Sequence, residues 1–315
     1  MVVGVPEKSG NGPATLTTGA AEGQAGSSRA AATTVRTADS VAGAAQLACV
    51  LEVGAEKPGN ITPSHDFHDT SYEDMLRSAI AVGPELARAG ERRVGETVLA
   101  VVEASRRAVP ANTNLGIALL LAPLARAALE GGPLRARLGA TLRALDVADA
   151  RAAYAAIRLS GAGGLHERVE QDVRSEPTVG LREAMASAAE RDSIASEYVT
   201  DFALTFDTGV PALAAALDDG LAVREAIVEL HLRLLAHTPD SLIARKAGAD
   251  VAAQVSAGAR EVLAGRRTLQ SFDASLRATG NRLNPGTTAD LVTATVFVAL
   301  VEGMLAPSDR VSHSS

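Results

Sequence analysis

Aromatic side chains are nearly missing from this chain: its 315 residues include three Tyr, five Phe and no Trp. Yet 47% of the residues are hydrophobic. A core must then be assembled from Ala, Leu, Val and Ile, without the planar side chains that fill many interiors. Ala and Leu lose little rotamer freedom in a helix, so this composition favours helices. No stretch alternates apolar and polar residues convincingly, as a half-buried strand does. The expectation is an all-α fold, a single large multi-helix domain of about ten to twelve helices with a disordered N-terminal tail.

Residues 1–37 are rich in Gly, Ala, Ser and Thr and contain one Leu and no Ile or Phe. Such a stretch buries too little apolar surface to offset its ordering entropy and is expected to stay disordered. The helical domain is expected over 38–306, with a second short disordered tail at 307–315.

Inside the domain the helices are read from apolar spacing and from their stops. Val41, Ala45 and Ala48 recur at helical spacing, with Asp39 or Ser40 as N-cap, and Lys57-Pro58-Gly59-Asn60 ends that run. Ser71 and Asp74 form a capping-box pattern ahead of Met75, Ile80 and Leu86. Further helices are expected from Gly95 to Val109, from Leu115 to Leu129 and on both sides of Asp146. Others follow over Val179 to Phe206 with a break near Arg191-Asp192, Val210 to Leu217, Ala222 to His237, Ser241 to Ala264 and Thr268 to Thr279. Asn284-Pro285-Gly286-Thr287 opens the last one, with Asp290 expected at the third position of a capping box.

Thirty basic residues stand against 37 acidic ones, a net charge of −7, with no basic run. That balance argues against a nucleic-acid partner. The most apolar runs, Leu115 to Leu124 and Leu291 to Leu305, fall short of the ~20 residues of a membrane span and read as buried helices. Cys49, the single cysteine, forms no internal disulfide, and a cytoplasmic setting is expected. Only three lysines remain, Lys8, Lys57 and Lys246, which draws attention to the last two.

Four turns concentrate polar groups beside helix ends, where free N–H groups and the helix dipole favour anions. The first holds Glu52, Lys57, Gly59 and Asn60, then His65, Asp66, His68 and Asp69. It reads either as a helix stop with a solvated loop or as a phosphate and metal loop, with Asp66 and Asp69 as candidate metal ligands. The second is Asn112-Thr113-Asn114-Leu115-Gly116, richer in amides than a cap requires. The third is Asn284-Pro285-Gly286-Thr287-Thr288-Ala289-Asp290. The fourth is Arg245-Lys246, following Thr238-Pro239-Asp240-Ser241. No Walker loop, GxGxxG fingerprint or GxSxG elbow is present. His231 and His237 are read as structural.

In their order along the chain, these turns resemble the triphosphoribosyl-dephospho-CoA synthase family. The likeness rests on Glu52, Lys57-Pro58-Gly59, the Asp66/Asp69 region before Asp74-Met75, Asn112-Thr113 with Gly116, Arg245, and Pro285-Gly286 with Ala289-Asp290-Leu291. It spans about residues 40–305. The resemblance implies an all-helical transferase that moves a 5-triphosphoribosyl group from ATP to the ribose 2′-hydroxyl of 3′-dephospho-CoA, or to a related acceptor, releasing adenine. It also implies Mg²⁺ accompanying ATP. Lys57, Gly59, Asn60, Asn112, Thr113, Asn114, Gly116, Arg245, Gly286 and Thr287 would hold substrate and phosphate. Glu52, Asp66 and Asp290 would act in catalysis, with Asp66 and Asp69 at the metal. The chain departs from the family pattern at Leu115, where citrate-lyase members carry a lysine, and at Gly161-Ala162-Gly163-Gly164, which lacks their Arg and Glu. Two other readings compete: a metal-dependent nucleotide phosphohydrolase built on His65-Asp66 and His68-Asp69, and a non-catalytic helical nucleotide-binding protein.

Overall fold

The computed structural model describes residues 36–109, 114–161, 173 and 175–305. Both predicted tails therefore lie almost wholly outside the described residues, as do Asn112, Thr113 and the Ala162-Gly163-Gly164 stretch. The fold is all-α, with fourteen α-helices and one π-helix among the described residues. The helices are α1 (Ala38–Val53), α2 (Tyr72–Ala87), α3 (Val94–Ala108), α4 (Leu115–Leu129), α5 (Leu134–Arg143), α6 (Val147–Ser160), α7 (Leu181–Ala186) and α8 (Ser193–Val199). The π-helix Leu204–Gly209 leads into α9 (Val210–Asp218), followed by α10 (Val223–His237), α11 (Ser241–Ala247), α12 (Ala249–Leu263), α13 (Leu269–Arg277) and α14 (Gly286–Val301).

Two helices form the centre. Twelve of the 15 residues of α4 and twelve of the 16 of α14 are buried, as expected of helices that are apolar nearly all round. α14 packs against α1, α4 and α10; α1, α2 and α3 pack in succession, and α3 meets α4 and α6. A second, smaller core joins the end of α10 to α11, α12 and α13 through Leu235, Ile243, Val255, Phe272 and Leu276. The pieces of the site hang between these two cores. No single described helix is long and apolar enough to cross a membrane.

Prolines inside α2 and α4 explain two long-range hydrogen bonds. A proline has no N–H, so the carbonyl four residues earlier loses its helical donor. For Pro123 that carbonyl is Leu119, and the buried Tyr198 hydroxyl donates to it at 2.7 Å. For Pro84 it is Ile80, and Gln46 of α1 donates to it at 2.8 Å. Gln46 lies against Gly83, where an added Cβ would come within 2.5 Å of it.

Most helix starts follow the local signals. Ser71 and Asp74 exchange capping bonds at 3.1 Å, and Asp146 with Asp149 forms another such box. Four expectations need correction. Thr37, not Asp39 or Ser40, caps α1 by accepting from the Ser40 N–H. Gly248, at φ 102°, divides the expected Ser241–Ala264 helix into α11 and α12. The break expected near Arg191-Asp192 is present, with Asp192 capping α8, but the Val179–Phe206 stretch is interrupted a second time where Asp201 and Phe202 adopt positive φ. There the buried Glu197 carboxylate accepts the N–H groups of Leu204 and Thr205, and burial pushes its pKa up to about 7. Finally, Asp290 lies beyond the third position of α14, so it does not cap that helix. Asp240, from the turn before α11, accepts the Thr288 N–H at 2.7 Å and the Thr288 hydroxyl at 2.8 Å instead.

Candidate functional site

The ends of four helices converge: the C-terminus of α1 and the N-termini of α4, α11 and α14. Asp290, from the second turn of α14, lies at their meeting point. An ideal Cβ on Gly116 would lie 1.9 Å from Asp290 Oδ2, so only glycine leaves room for this carboxylate over the start of α4. No described donor hydrogen-bonds to Asp290. It is closely surrounded by protein yet retains partial solvent exposure. Burial pushes its pKa well above the usual carboxylate range; the Glu52, Asp240 and Asp192 carboxylates push it further, and Arg245 opposes them.

Glu52 ends α1 at 4% exposure, and Lys57 folds back on it at 1% exposure. The Lys57 ammonium lies 3.0 Å from Glu52 Oε1 and also donates to the carbonyls of Glu52 and of Ala55 (3.3 Å). Those acceptors match the three donors an ammonium carries. The expected phosphate lysine is thus engaged as the buried counter-ion of Glu52. Burial raises the Glu52 pKa, with Lys57 pulling it back. Behind the pair lies His231 of α10, fully buried with neither ring nitrogen hydrogen-bonded. Burial, followed by the charge of Lys57, pushes His231 down to about 3, so it is neutral.

The remaining predicted residues separate by position. Gly59 turns the chain at φ 74°, but its N–H is bonded to Asp273 at 2.8 Å rather than free. Asn60 is 8% exposed; its Oδ1 accepts the Ile61 N–H at 2.7 Å, and its Nδ2 has no partner. Asn114 occupies the N-cap position of α4 without capping it. Its amide donates instead to Ser78 at 2.6 Å and Ser105 at 3.1 Å, tying α4 to α2 and α3. Thr287 accepts from Ser241 at 3.1 Å, and Gly286 packs against Leu242. Arg245 pairs with Asp192, the cap of α8.

Asp66 and Asp69 lie on an exposed loop. Asp66 Oδ1 accepts the Tyr72 N–H at 2.7 Å, and Asp69 is 3.8 Å from His68. Among the described residues, no group of three or more His, Cys, Asp or Glu side chains is placed to hold a metal ion. The His-Asp cluster of the phosphohydrolase reading is therefore not assembled there.

Sequence reasoning did not single out Asp192, Asp240, Asp273 or Arg277. The sequence marks Asp192 only as part of a helix break and Asp240 only as part of the turn before Arg245-Lys246; both are N-caps. Their second role appears only because α8, α11 and α14 bring three carboxylates to one place. Nothing in the local pattern of α13 marks Asp273 or Arg277, an ordinary i, i+4 pair.

The all-α fold has its likeness among transferases. The crystal structure of a candidate triphosphoribosyl-dephospho-CoA synthase from Archaeoglobus fulgidus matches with a TM-score of 0.59 at 31% identity, covering 72% of this chain and 99% of that one. The sequence pattern of the ATP:dephospho-CoA triphosphoribosyl transferase family matches residues 38–308, and the chain belongs to that family. No curated protein matches the chain. Its function is that of a triphosphoribosyl-dephospho-CoA synthase-like transferase.

Proposed function

We propose that the site around Asp290 performs a pentosyl transfer: the bond from C1′ of ATP to adenine breaks, and C1′ bonds to a ribose hydroxyl of 3′-dephospho-CoA or a related acceptor. Adenine takes up a proton and the acceptor hydroxyl gives one up, so the reaction is proton-neutral. The observation that carries this reading is the Asp290 carboxyl, crowded by Glu52, Asp240 and Asp192 and lacking a described donor. Burial and the neighbouring negative charges favour the protonated form of this group, which can deliver its proton to a ring nitrogen of departing adenine. The carboxylate so formed can then accept the hydroxyl proton. C1′ gains positive charge as adenine leaves, and the neighbouring carboxylates offset it.

With Lys57 occupied by Glu52, Arg245 and the exposed Lys246, whose pKa desolvation lowers, are the neighbouring described cations for the triphosphate. The unpartnered Asn60 Nδ2 and the Thr287 hydroxyl supply neutral donors. Because the triphosphate stays on the sugar, these contacts orient the donor rather than activate a leaving group. Mg²⁺ bound with ATP takes most of its ligands from phosphate and water and needs only one or two carboxylates. The exposed Asp69, close enough to Lys246 to raise its pKa, fits that requirement, with Asp66 beside it; the ion would neutralise triphosphate charge. ATP as donor and an unpaired, buried Cys49 fit a cytoplasmic setting.

Free adenine released from ATP, measured with and without 3′-dephospho-CoA, tests the reading. Asp290→Asn should lower turnover about 100-fold while keeping the helical circular-dichroism signal. If no ribose-bearing acceptor elicits adenine release, the pentosyl-transfer reading fails.

A further inference from the structure

The Lys57–Asn60 turn is gripped from a helix more than 200 residues away. Asp273 Oδ1 accepts the Gly59 N–H at 2.8 Å. Arg277 donates to the Asn60 carbonyl at 2.9 Å. Its Nε also lies 2.8 Å from both Asp273 oxygens, so one ion pair holds a donor and an acceptor on adjacent residues of the turn. Leu276 fills the space beneath Gly59, where an added Cβ would lie 2.7 Å from its Cδ1. Residues 273, 276 and 277 share one face of α13, as i, i+3 and i+4 must. The two charged side chains are 23% and 20% exposed, sheltered enough for their geometry to be held.

We propose that Asp273 and Arg277 are positioning residues for the donor nucleotide, acting through the turn they hold. The turn carries two features the site uses. One is Lys57, which folds back on Glu52. The other is Asn60, whose Oδ1 is fixed by the Ile61 N–H while its Nδ2 is left without a partner. A buried amide donor without an acceptor is rare enough to require a reason, and a ligand oxygen or nitrogen supplies one. Its direction depends on the Asn60 backbone, which Arg277 grips. The clasp also joins α13 of the smaller core to the turn that follows α1. This inference rests on the pentosyl-transfer reading, since it takes ATP as the molecule positioned.

The full chain with Asp273→Ala, Asp273→Asn and Arg277→Lys tests it by two independent readouts. Hydrogen-exchange mass spectrometry of a peptide covering residues 56–61 reports the clasp itself. Steady-state adenine release reports its use. Asp273→Ala should speed exchange of this peptide about tenfold. It should raise KM for ATP about tenfold, with kcat changing less than threefold. Asp273→Asn, which keeps an acceptor for Gly59, should recover a large part of both effects. Arg277→Lys should fall between the two. Unchanged exchange in Asp273→Ala overturns the clasp. Faster exchange with unchanged KM overturns the positioning role, as does an equal loss in kcat with no effect on KM. Should the wild-type chain release no adenine, the pentosyl-transfer reading falls. The exchange arm, paired with the Kd for ATP, then judges the clasp: a tenfold weaker Kd supports it and an unchanged one overturns it.

Discussion

At the scale of single residues, Gly116 and His231 show opposite constraints. Gly116 is needed because the Asp290 carboxylate occupies the space a Cβ would take, with Ile194 only 2.9 Å from that point. Gly116→Ala should displace Asp290 while leaving the buried body of α4 intact. A misplacement of about 1 Å at a reacting group costs about 100-fold in rate, and turnover assays should show a loss of that order. His231 is costly to bury, because both of its nitrogens lie in the core without partners. His231→Leu should raise stability by about 1–2 kcal/mol at neutral pH in denaturant titrations. The variant should also change the pH profile. With a folded-state pKa of about 3 against 6.5 when exposed, the unfolded chain binds a proton that the folded chain refuses. The histidine therefore costs no charge-linked stability above pH 6.5 and destabilises progressively as pH falls from 6.5 towards 3. Melting curves across that window should fall less steeply for His231→Leu than for the wild type.

At the scale of helices, the two internal prolines are accommodated by side chains from elsewhere, and the two cases differ in burial. Tyr198 reaches the Leu119 carbonyl deep in the core, where no water can substitute. Gln46 reaches the Ile80 carbonyl at an exposed position. Tyr198→Phe should therefore cost about 1–3 kcal/mol, the penalty of an unsatisfied buried acceptor. Gln46→Ala should cost less than about 0.5 kcal/mol, because water takes its place. Chemical denaturation of the two variants checks the contrast, and equal losses would contradict it. Much of this level was legible beforehand. The Ser71/Asp74 and Asp146/Asp149 boxes, the stop after α1 and the burial of α4 and α14 follow from patterns within a few residues. The division at Gly248 and the π-helix after Phe202 were not legible. One depends on a single glycine at positive φ, the other on Glu197 finding two N–H groups across a turn.

At the scale of the molecule, two cores of unequal size flank the site. Amide exchange should be slowest in α4 and α14, where opening requires loss of the main core, and faster in α11, α12 and α13. Pulse-labelling by mass spectrometry resolves that order, and uniform protection across both groups would contradict it. ATP should slow exchange in the smaller core most if it binds at this site.

The chain alone determined most of the helices, the polar turns that end them and, through the order of those turns, the family they resemble. These are matters of local spacing, capping and composition, which act within one or two helical turns. The tertiary structure alone decided which polar groups confront one another. It pairs Lys57 with Glu52, draws Asp192 and Asp240 from their caps to the side of Asp290, and brings α13 onto the Gly59 turn. Those encounters join residues from 5 to more than 200 positions apart. They follow from how apolar helix faces cross in the core, and local sequence rules do not encode that crossing.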